Sequence, residues 1–380
     1  MTTQPTNYGF GEDETMLRDA ARKFFQDNAS ADALHKLVAG DYNPHRESAC
    51  LWDESLWRQM IELGWTAACV PERAGGIGMP CVAAVALAEE AGRAAFPSPL
   101  LATFTSTFVL DACATATADA GLERIAGGAA MTLAISNSQG SLDLADTDVT
   151  VSADGTLTGT ASYVQDARKC DTFIVSARGD DGVGLYLIEA DSDGVEVIPD
   201  HINDLTRDQA AIRFDAANAT EIAAQGSGVT ALKKALPAIL CVLSADMVGA
   251  GEWLLQTTSE YARTRVQFDR NIGFFQAIKH PLVNLMIEID DAKSLTYNAA
   301  CGFDVADAQA IDLARMAKSR ASDMAVFSGS RAVQFHGGIG FTWEAYVHIY
   351  FKRQMHSQIL FGDGRYQRAQ LAQTVISSVA

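Results

Sequence analysis

The chain has no CxxC pair. Its seven cysteines, Cys50, Cys69, Cys81, Cys113, Cys170, Cys241 and Cys301, are dispersed and odd in number. That usage argues against a zinc site or a disulfide framework and fits a reducing compartment. Positive charge is scarce too: 29 Lys+Arg stand against 47 Asp+Glu, a formal charge of −18. So acidic a chain is a poor partner for nucleic acid or an anionic membrane, although a local arginine cluster can still hold a small anion. No uninterrupted apolar run reaches the ~18 residues of a membrane span, because Asp111 and Asp246 break the two best candidates. The first residues, MTTQPTNYGFGEDETML, lack the apolar core of a signal peptide. The expectation is a soluble cytoplasmic protein. Hydrophobic residues at 48% and charged residues at 20% are globular proportions. The 380 residues provide for two to three structural units.

The pattern predicts a helical segment over 1–130, a β-segment over 131–220 and a second helical segment over 221–380. Met16, Leu17, Ala20, Ala21, Phe24 and Phe25 suggest one apolar helix face. Leu56, Met60 and Leu63 repeat it behind Asp53, a candidate N-cap. Pro71–Pro80 reads as a glycine-rich loop, Cys81–Ala94 as a helix, and Leu100–Ala118 as one buried helix. Short β-rich runs follow from Met131, with turns at Asp154-Gly155 and Asp193-Gly194. Their spacing suggests a β-barrel or sandwich. Long helical patterns then cover about Val229–Arg263, Gln276–Ala300, Val305–Phe335, Trp343–Met355 and Tyr366–Val379. Pro237 falls in the first of these, tolerable near a helix start but expected to kink an interior. The fold class is α+β, with the last helices forming a four-helix bundle.

Three segments carry chemistry: YARTRVQFDRNIGFFQ (Tyr261–Gln276), QFHGGIGFT (Gln334–Thr342) and ILFGDGRYQR (Ile359–Arg368). In the first, Arg263, Arg265 and Arg270 either form a solvated basic face favoured by the helix dipole or bind phosphate through guanidinium forks. In the second, Gly337, Gly338 and Gly340 either cap a helix or admit a phosphate close to the backbone. His336 reads as a packing or capping residue, since no second metal ligand lies at ligand spacing.

Together these segments resemble the acyl-CoA dehydrogenase family, and the order helical, β, helical agrees over essentially the whole chain. Arg265, Phe268, Ile272, Phe275 and Gln276 fit one family stretch; Gln334, Gly337, Gly338 and Gly340 fit another. Glu89-Glu90-Ala91-Gly92-Arg93-Ala94 is a softer match, also readable as an ordinary charged helix end. The resemblance implies FAD as cofactor. Arg265, Phe268, Gln276, Gln334, Gly337 and Gly338 would contact the diphosphate and adenosine half of a flavin belonging mainly to a neighbouring subunit.

The resemblance also exposes losses. The family's base is a glutamate that removes the α-proton of an acyl-CoA; its position here holds Phe361. The alternative family position falls at Ile239, with Asp246 nearly two turns away. Asp363 is a substitute base or, more simply, a turn or cap residue. The family's flavin-ring stretches have only loose counterparts in Leu133–Asn137, Gly140–Asp143 and Tyr163–Gln165, with Tyr163 either stacking on a ring or serving as a strand aromatic. Asp269 stands where the family motif has glycine. Elements acting on the chain's own flavin are degraded and those acting on a neighbour's are kept. The pattern resembles the base-lacking subunit of the α2β2 acyl-CoA dehydrogenases of steroid side-chain degradation. That implies a paralogous base-bearing partner, an acyl-CoA substrate and electron-transfer flavoprotein as acceptor, with no catalytic residue or metal in this chain. The rivals are a self-sufficient homotetramer using Asp363 and a non-enzymatic acyl-CoA-binding scaffold.

Overall fold

The computed structural model describes residues 7–39 and 49–379. The chain divides into two compact units. One comprises Met1–Tyr42, Cys81–Phe96 and Leu240–Ala380, and the other Asn43–Pro80 and Pro97–Ile239.

Helices precede the sheet: α1 (Glu12–Asn28), α2 (Ala31–Val38), α3 (Glu54–Glu62), α4 (Cys81–Arg93), α5 (Leu100–Cys113) and α6 (Ala116–Ala126). Asp53 caps α3 as expected, accepting from the amides of Ser55 (2.8 Å) and Leu56 (3.3 Å). The predicted face of α1 is only partly right. Ala21 and Phe25 are buried, but Met16 is exposed and Glu14 folds back to cap the helix start at Gly11. The single helix expected over Leu100–Ala118 is two. Ala114 takes a left-handed conformation, and the Thr115 side chain accepts from the Ala118 amide to start α6. The run is apolar throughout, so periodicity could not reveal the break.

The sheet comprises β1 (Met131–Ala134), β2 (Val149–Val151), β3 (Thr156–Gln165), β4 (Thr172–Gly179), β5 (Gly182–Glu189), β6 (Val195–Pro199), β7 (Gln209–Asn218) and β8 (Thr220–Ala223). Their order is β6-β7-β3-β2-β4-β5-β8, with β1 pairing β4 in parallel. Gly155 and Gly194 adopt positive φ at the two expected Asp-Gly turns.

Then come α7 (Gly228–Thr264), a hairpin of β9 (Val266–Gln267) and β10 (Arg270–Asn271), α8 (Gln276–Asp304), α9 (Ala310–His336), α10 (Val347–Ile359) and α11 (Gly364–Val379). α7 runs unbroken through Pro237. By length and composition it could cross a membrane, but 83% of its most apolar window is buried within the protein, as in a core helix. α9 starts at Ala310 rather than Val305 because Ala306 turns left-handed.

In the first unit α4 and α7 cross at two glycines. A Cβ on Gly92 would fall inside the backbone of Asp246, and one on Gly249 inside the carbonyl of Glu89. This close approach buries Glu89 and Glu90, which are not a solvated helix end. Glu89 accepts from Lys293 Nζ (2.6 Å) and Tyr297 (3.1 Å). Glu90 takes a forked pair of bonds from Arg22 and one from Arg93, and Arg93 also pairs with Glu252. The E-E-A-G-R-A stretch thus fastens α1, α4, α7 and α8 together. Buried carboxylates survive only when paired in this way.

Candidate functional site

α7 ends at Thr264, and the chain returns on itself through a two-residue hairpin. Val266 pairs with Asn271 and Gln267 with Arg270, which leaves Phe268 and Asp269 at the tip. Both tip residues have positive φ, +54° and +60°. Left-handed backbone in non-glycine residues costs about 1 kcal/mol or more each. The Arg265 carbonyl accepts from the Ile272 amide at 2.9 Å, and Asn271 Nδ2 bonds the Arg263 carbonyl at 2.5 Å. Gly273 lies so close to the carbonyl of Ala262 that a Cβ would press on it at 2.9 Å. The hairpin is therefore pinned to the end of α7.

What it displays is unusual for an isolated surface. Phe268 is 84% exposed, and Phe274 and Val266 are also exposed. The Arg270 guanidinium lies 4.4 Å from the Phe274 ring centroid, a cation–π geometry. Arg263, Arg265 and Arg270 are exposed. Among the described residues, none of the three forms an ion pair.

The second segment lies beside the end of α7. The Tyr261 and His336 rings stack at 4.3 Å, and the Tyr261 hydroxyl reaches the His336 carbonyl at 3.5 Å. His336 is buried and its Nδ1 donates to the Ala332 carbonyl at 2.8 Å. Burial lowers its pKa, with that hydrogen bond opposing the shift. It is a packing residue, as expected. Beyond it, Gly337–Phe341 forms a short 3-10 turn. Gly340 is packed against the Val333 carbonyl, and Gly337 needs its positive φ of +63°. Gly338 has neither reason: a Cβ there would meet nothing within 4 Å. Gln276 and Gln334 are both exposed, and so is Phe341 at 71%. The structure thus gathers both predicted segments in one unit. Phe274, Phe341 and Tyr261 were not singled out from sequence, because an aromatic's role emerges only when its exposure or stacking partner is known.

The third segment forms the turn between α10 and α11. Phe361 has φ +55° and Gly362 φ +91°, where a Cβ would enter the Tyr366 ring. Gln367 Nε2 donates to the Phe361 carbonyl at 2.7 Å. Buried Lys318 donates to the carbonyls of Gln358 (2.8 Å) and Gly362 (3.0 Å) and to Ser322 Oγ (3.0 Å). Asp363 caps α11, accepting from the Tyr366 amide at 2.8 Å. Asp246 is fully buried and held by Arg353 (Nη2 at 2.5 Å) and Ser357 (3.0 Å). A carboxylate so engaged is not poised to take a substrate proton.

In the other unit, Tyr163 sits in a bulge of β3 with φ +58°, half-exposed, and its hydroxyl donates to the Ser138 carbonyl at 3.1 Å. The bulge ties this aromatic to the 137–141 loop, so the two weak counterparts of the ring-holding stretches meet in space.

Comparisons with known proteins agree with this architecture. The acyl-CoA dehydrogenase N-terminal domain matches residues 11–129 and the C-terminal domain residues 226–376. Acyl-CoA dehydrogenase IpdE2 of Mycobacterium tuberculosis is 31% identical over 355 residues, covering 93% of this chain and 94% of that protein. A variant of the Tcur3481-Tcur3483 steroid ACAD superposes with a TM-score of 0.85 at 27% identity, covering 97% of this chain and 99% of that one. Butyryl-CoA dehydrogenase from Megasphaera elsdenii shares the fold, with a TM-score of 0.85 at 20% identity over 99% of this chain and 100% of that one. With both domain matches and a relative similar along nearly its full length, the chain belongs to the acyl-CoA dehydrogenase family.

Proposed function

We propose that this chain is the non-catalytic subunit of a heteromeric FAD-dependent acyl-CoA dehydrogenase. Its surface of Arg265, Phe268, Gln276, Gln334, Gly337 and Gly338 holds the diphosphate and adenosine half of a flavin whose ring lies in a paralogous, base-bearing partner. The working domain division is 1–130, 131–220 and 221–380, and the working location is the cytoplasm. The observation that carries the reading is the set of three guanidiniums without an ion pair, at the end of α7 and on the hairpin that follows it, in a protein with charge −18. Cations left unpaired in so acidic a chain invite an external anion. Gly338 supports the fit, since only a group from outside the chain would object to a side chain there. Exposed Phe268 offers a face for a base to stack on.

Bound FAD would supply the hydride acceptor for α,β-desaturation of an acyl-CoA thioester, with electron-transfer flavoprotein as the onward acceptor. This chain's residues bind and orient; the proton is taken in the partner, because Phe361 has no basic atom and Asp246 and Asp363 are engaged elsewhere. The acyl group is proposed to be a bulky, steroid-derived one, by analogy with the steroid ACAD, whose name joins two components. A homotetramer working through Asp363 is disfavoured by that residue's role as a cap, and a scaffold would have no need of unpaired arginines.

Arg265→Ala should weaken flavin binding to the native complex about 10- to 100-fold, the worth of one charge-assisted hydrogen-bond group. The ratio of flavin to protein absorbance in the complex, recovered through a tag on this chain, measures it. Phe361→Ala should leave flavin content and turnover in place. Full flavin after the Arg265 change would refute the assignment. So would a yellow, active enzyme from this chain alone.

A further inference from the structure

The tip of the arginine hairpin carries a charge of the wrong sign. From Arg263 to Gln276 the chain has three arginines and one acid, Asp269. Asp269 is exposed, and among the described residues it is paired with none of the neighbouring guanidiniums. It also occupies a left-handed position, φ +60°, in a two-residue turn, where glycine or asparagine would sit with less strain. Aspartate tolerates left-handed backbone, but no internal ion pair accounts for its charge there.

We propose that Asp269 weakens the hold of this hairpin on a diphosphate, and does so most at low salt. The inference rests on the reading that Arg265 and its neighbours bind the dinucleotide half of FAD. Asp269 lies between Phe268 and Arg270 in the chain. Successive Cα atoms are ~3.8 Å apart, so its carboxylate lies within about 10 Å of anything stacked on Phe268 or held by Arg270. That is about one Debye length at 0.1 M salt, so the charges still feel one another at moderate ionic strength. The carboxylate lowers the net charge that the tip presents to a dianion from three positive to two. Two unit charges at this separation in near-aqueous surroundings change an affinity by about two- to five-fold. The consequence is a cofactor whose retention depends on the assembled complex rather than on this surface alone. A carboxylate in that position could instead accept a hydrogen bond from a ribose hydroxyl. Asp269 stands exposed on a strained tip, with no second polar group fixing its orientation, and this favours repulsion over recognition.

The test is FAD rebinding to the deflavinated native complex at 50 and 500 mM NaCl. Four forms are compared: unchanged, Asp269→Asn, Asp269→Gly and Arg265→Ala. Asp269→Asn removes the charge while keeping a residue tolerant of left-handed backbone; Asp269→Gly removes charge and strain together. We expect Asp269→Asn to bind FAD two- to five-fold more tightly at 50 mM salt, with the difference closing at 500 mM, and Asp269→Gly to bind at least as tightly. Equal or weaker binding by Asp269→Asn at low salt overturns the proposal, weaker binding marking Asp269 as a ligand. A gain that is the same at both salt concentrations, or appears only in Asp269→Gly, overturns it in favour of turn strain. Arg265→Ala separates the two levels. If it binds FAD normally, the underlying reading fails; if it binds weakly while Asp269→Asn is unchanged, only the role of Asp269 fails. Where the deflavinated complex does not reassemble, the rate of flavin release on dilution, followed by fluorescence, gives the same comparison.

Discussion

Arg353→Met is expected to lower the unfolding free energy by about 3–5 kcal/mol, the largest loss foreseen for any single side chain here. Arg353 and Asp246 are both essentially inaccessible to solvent, and the guanidinium gives Asp246 two bonds, from Nε at 3.1 Å and from Nη2 at 2.5 Å. Ser357 adds a third at 3.0 Å. Removing the cation strands a carboxylate in the core, where it must either stay charged without a counterion or take up a proton. The double variant Asp246→Leu/Arg353→Met removes the problem with its remedy and should recover most of the loss, since a buried pair replaced by apolar groups of like volume is often neutral. Denaturant titration followed by tryptophan fluorescence distinguishes them, provided the two compact units are shown to unfold together or are resolved as separate transitions. A loss below about 1 kcal/mol in the single variant would mean that Asp246 is already protonated or hydrated. That would reopen it as a candidate acid–base group.

Much of the course of the helices and strands was legible because apolar runs are bounded by turn residues, as at Asp154-Gly155 and Asp193-Gly194. The run Leu100–Ala118 was misread because an apolar stretch has no polar phase to mark a turn. The Asp246–Arg353 pair was invisible for a related reason: its members are 107 residues apart and each looks like an isolated charge on a helix. Glu89 and Glu90 show the same limit. Their sequence is a charged helix end; their burial follows from Gly92 and Gly249, two small residues on different helices whose fit appears only on assembly. The candidate site was more legible, because its motif residues are local and lie within one unit. What sequence could not supply was the state of each group. Arg265 is a bare cation, Gly338 is a glycine without an internal reason, and Asp363 is a cap. The choice between a solvated basic face and an anion site depends on those states rather than on residue identities.

Lys318 makes the turn around Phe361 sensitive to pH. Its ammonium is fully buried, with three hydrogen bonds and no carboxylate in contact. Desolvation pulls its pKa from 10.5 down to about 7, with Asp363 at longer range opposing the shift. The sign follows from proton counting. Below about pH 7 both folded and unfolded chains carry the proton, and the folded state bears the whole desolvation cost. Between about 7 and 10.5 the unfolded chain still binds a proton that the folded one has released. Unfolding free energy therefore climbs with pH across that window, relative to a variant without the amine, by an amount on the order of 3–5 kcal/mol. Lys318→Met lacks this rise, so the difference between the two proteins should change steadily from pH 6.5 to 9.5 in parallel denaturant titrations. Parallel stability curves would mean that Lys318 titrates alike in both states and that water reaches it. The functional reading depends on the same turn. A buried cation, Gln367 and an obligatory Gly362 hold Phe361 in strained backbone, at the position where the sequence resemblance expects the family's base. On the proposed reading, the shape of this turn serves a subunit that supports a partner's chemistry.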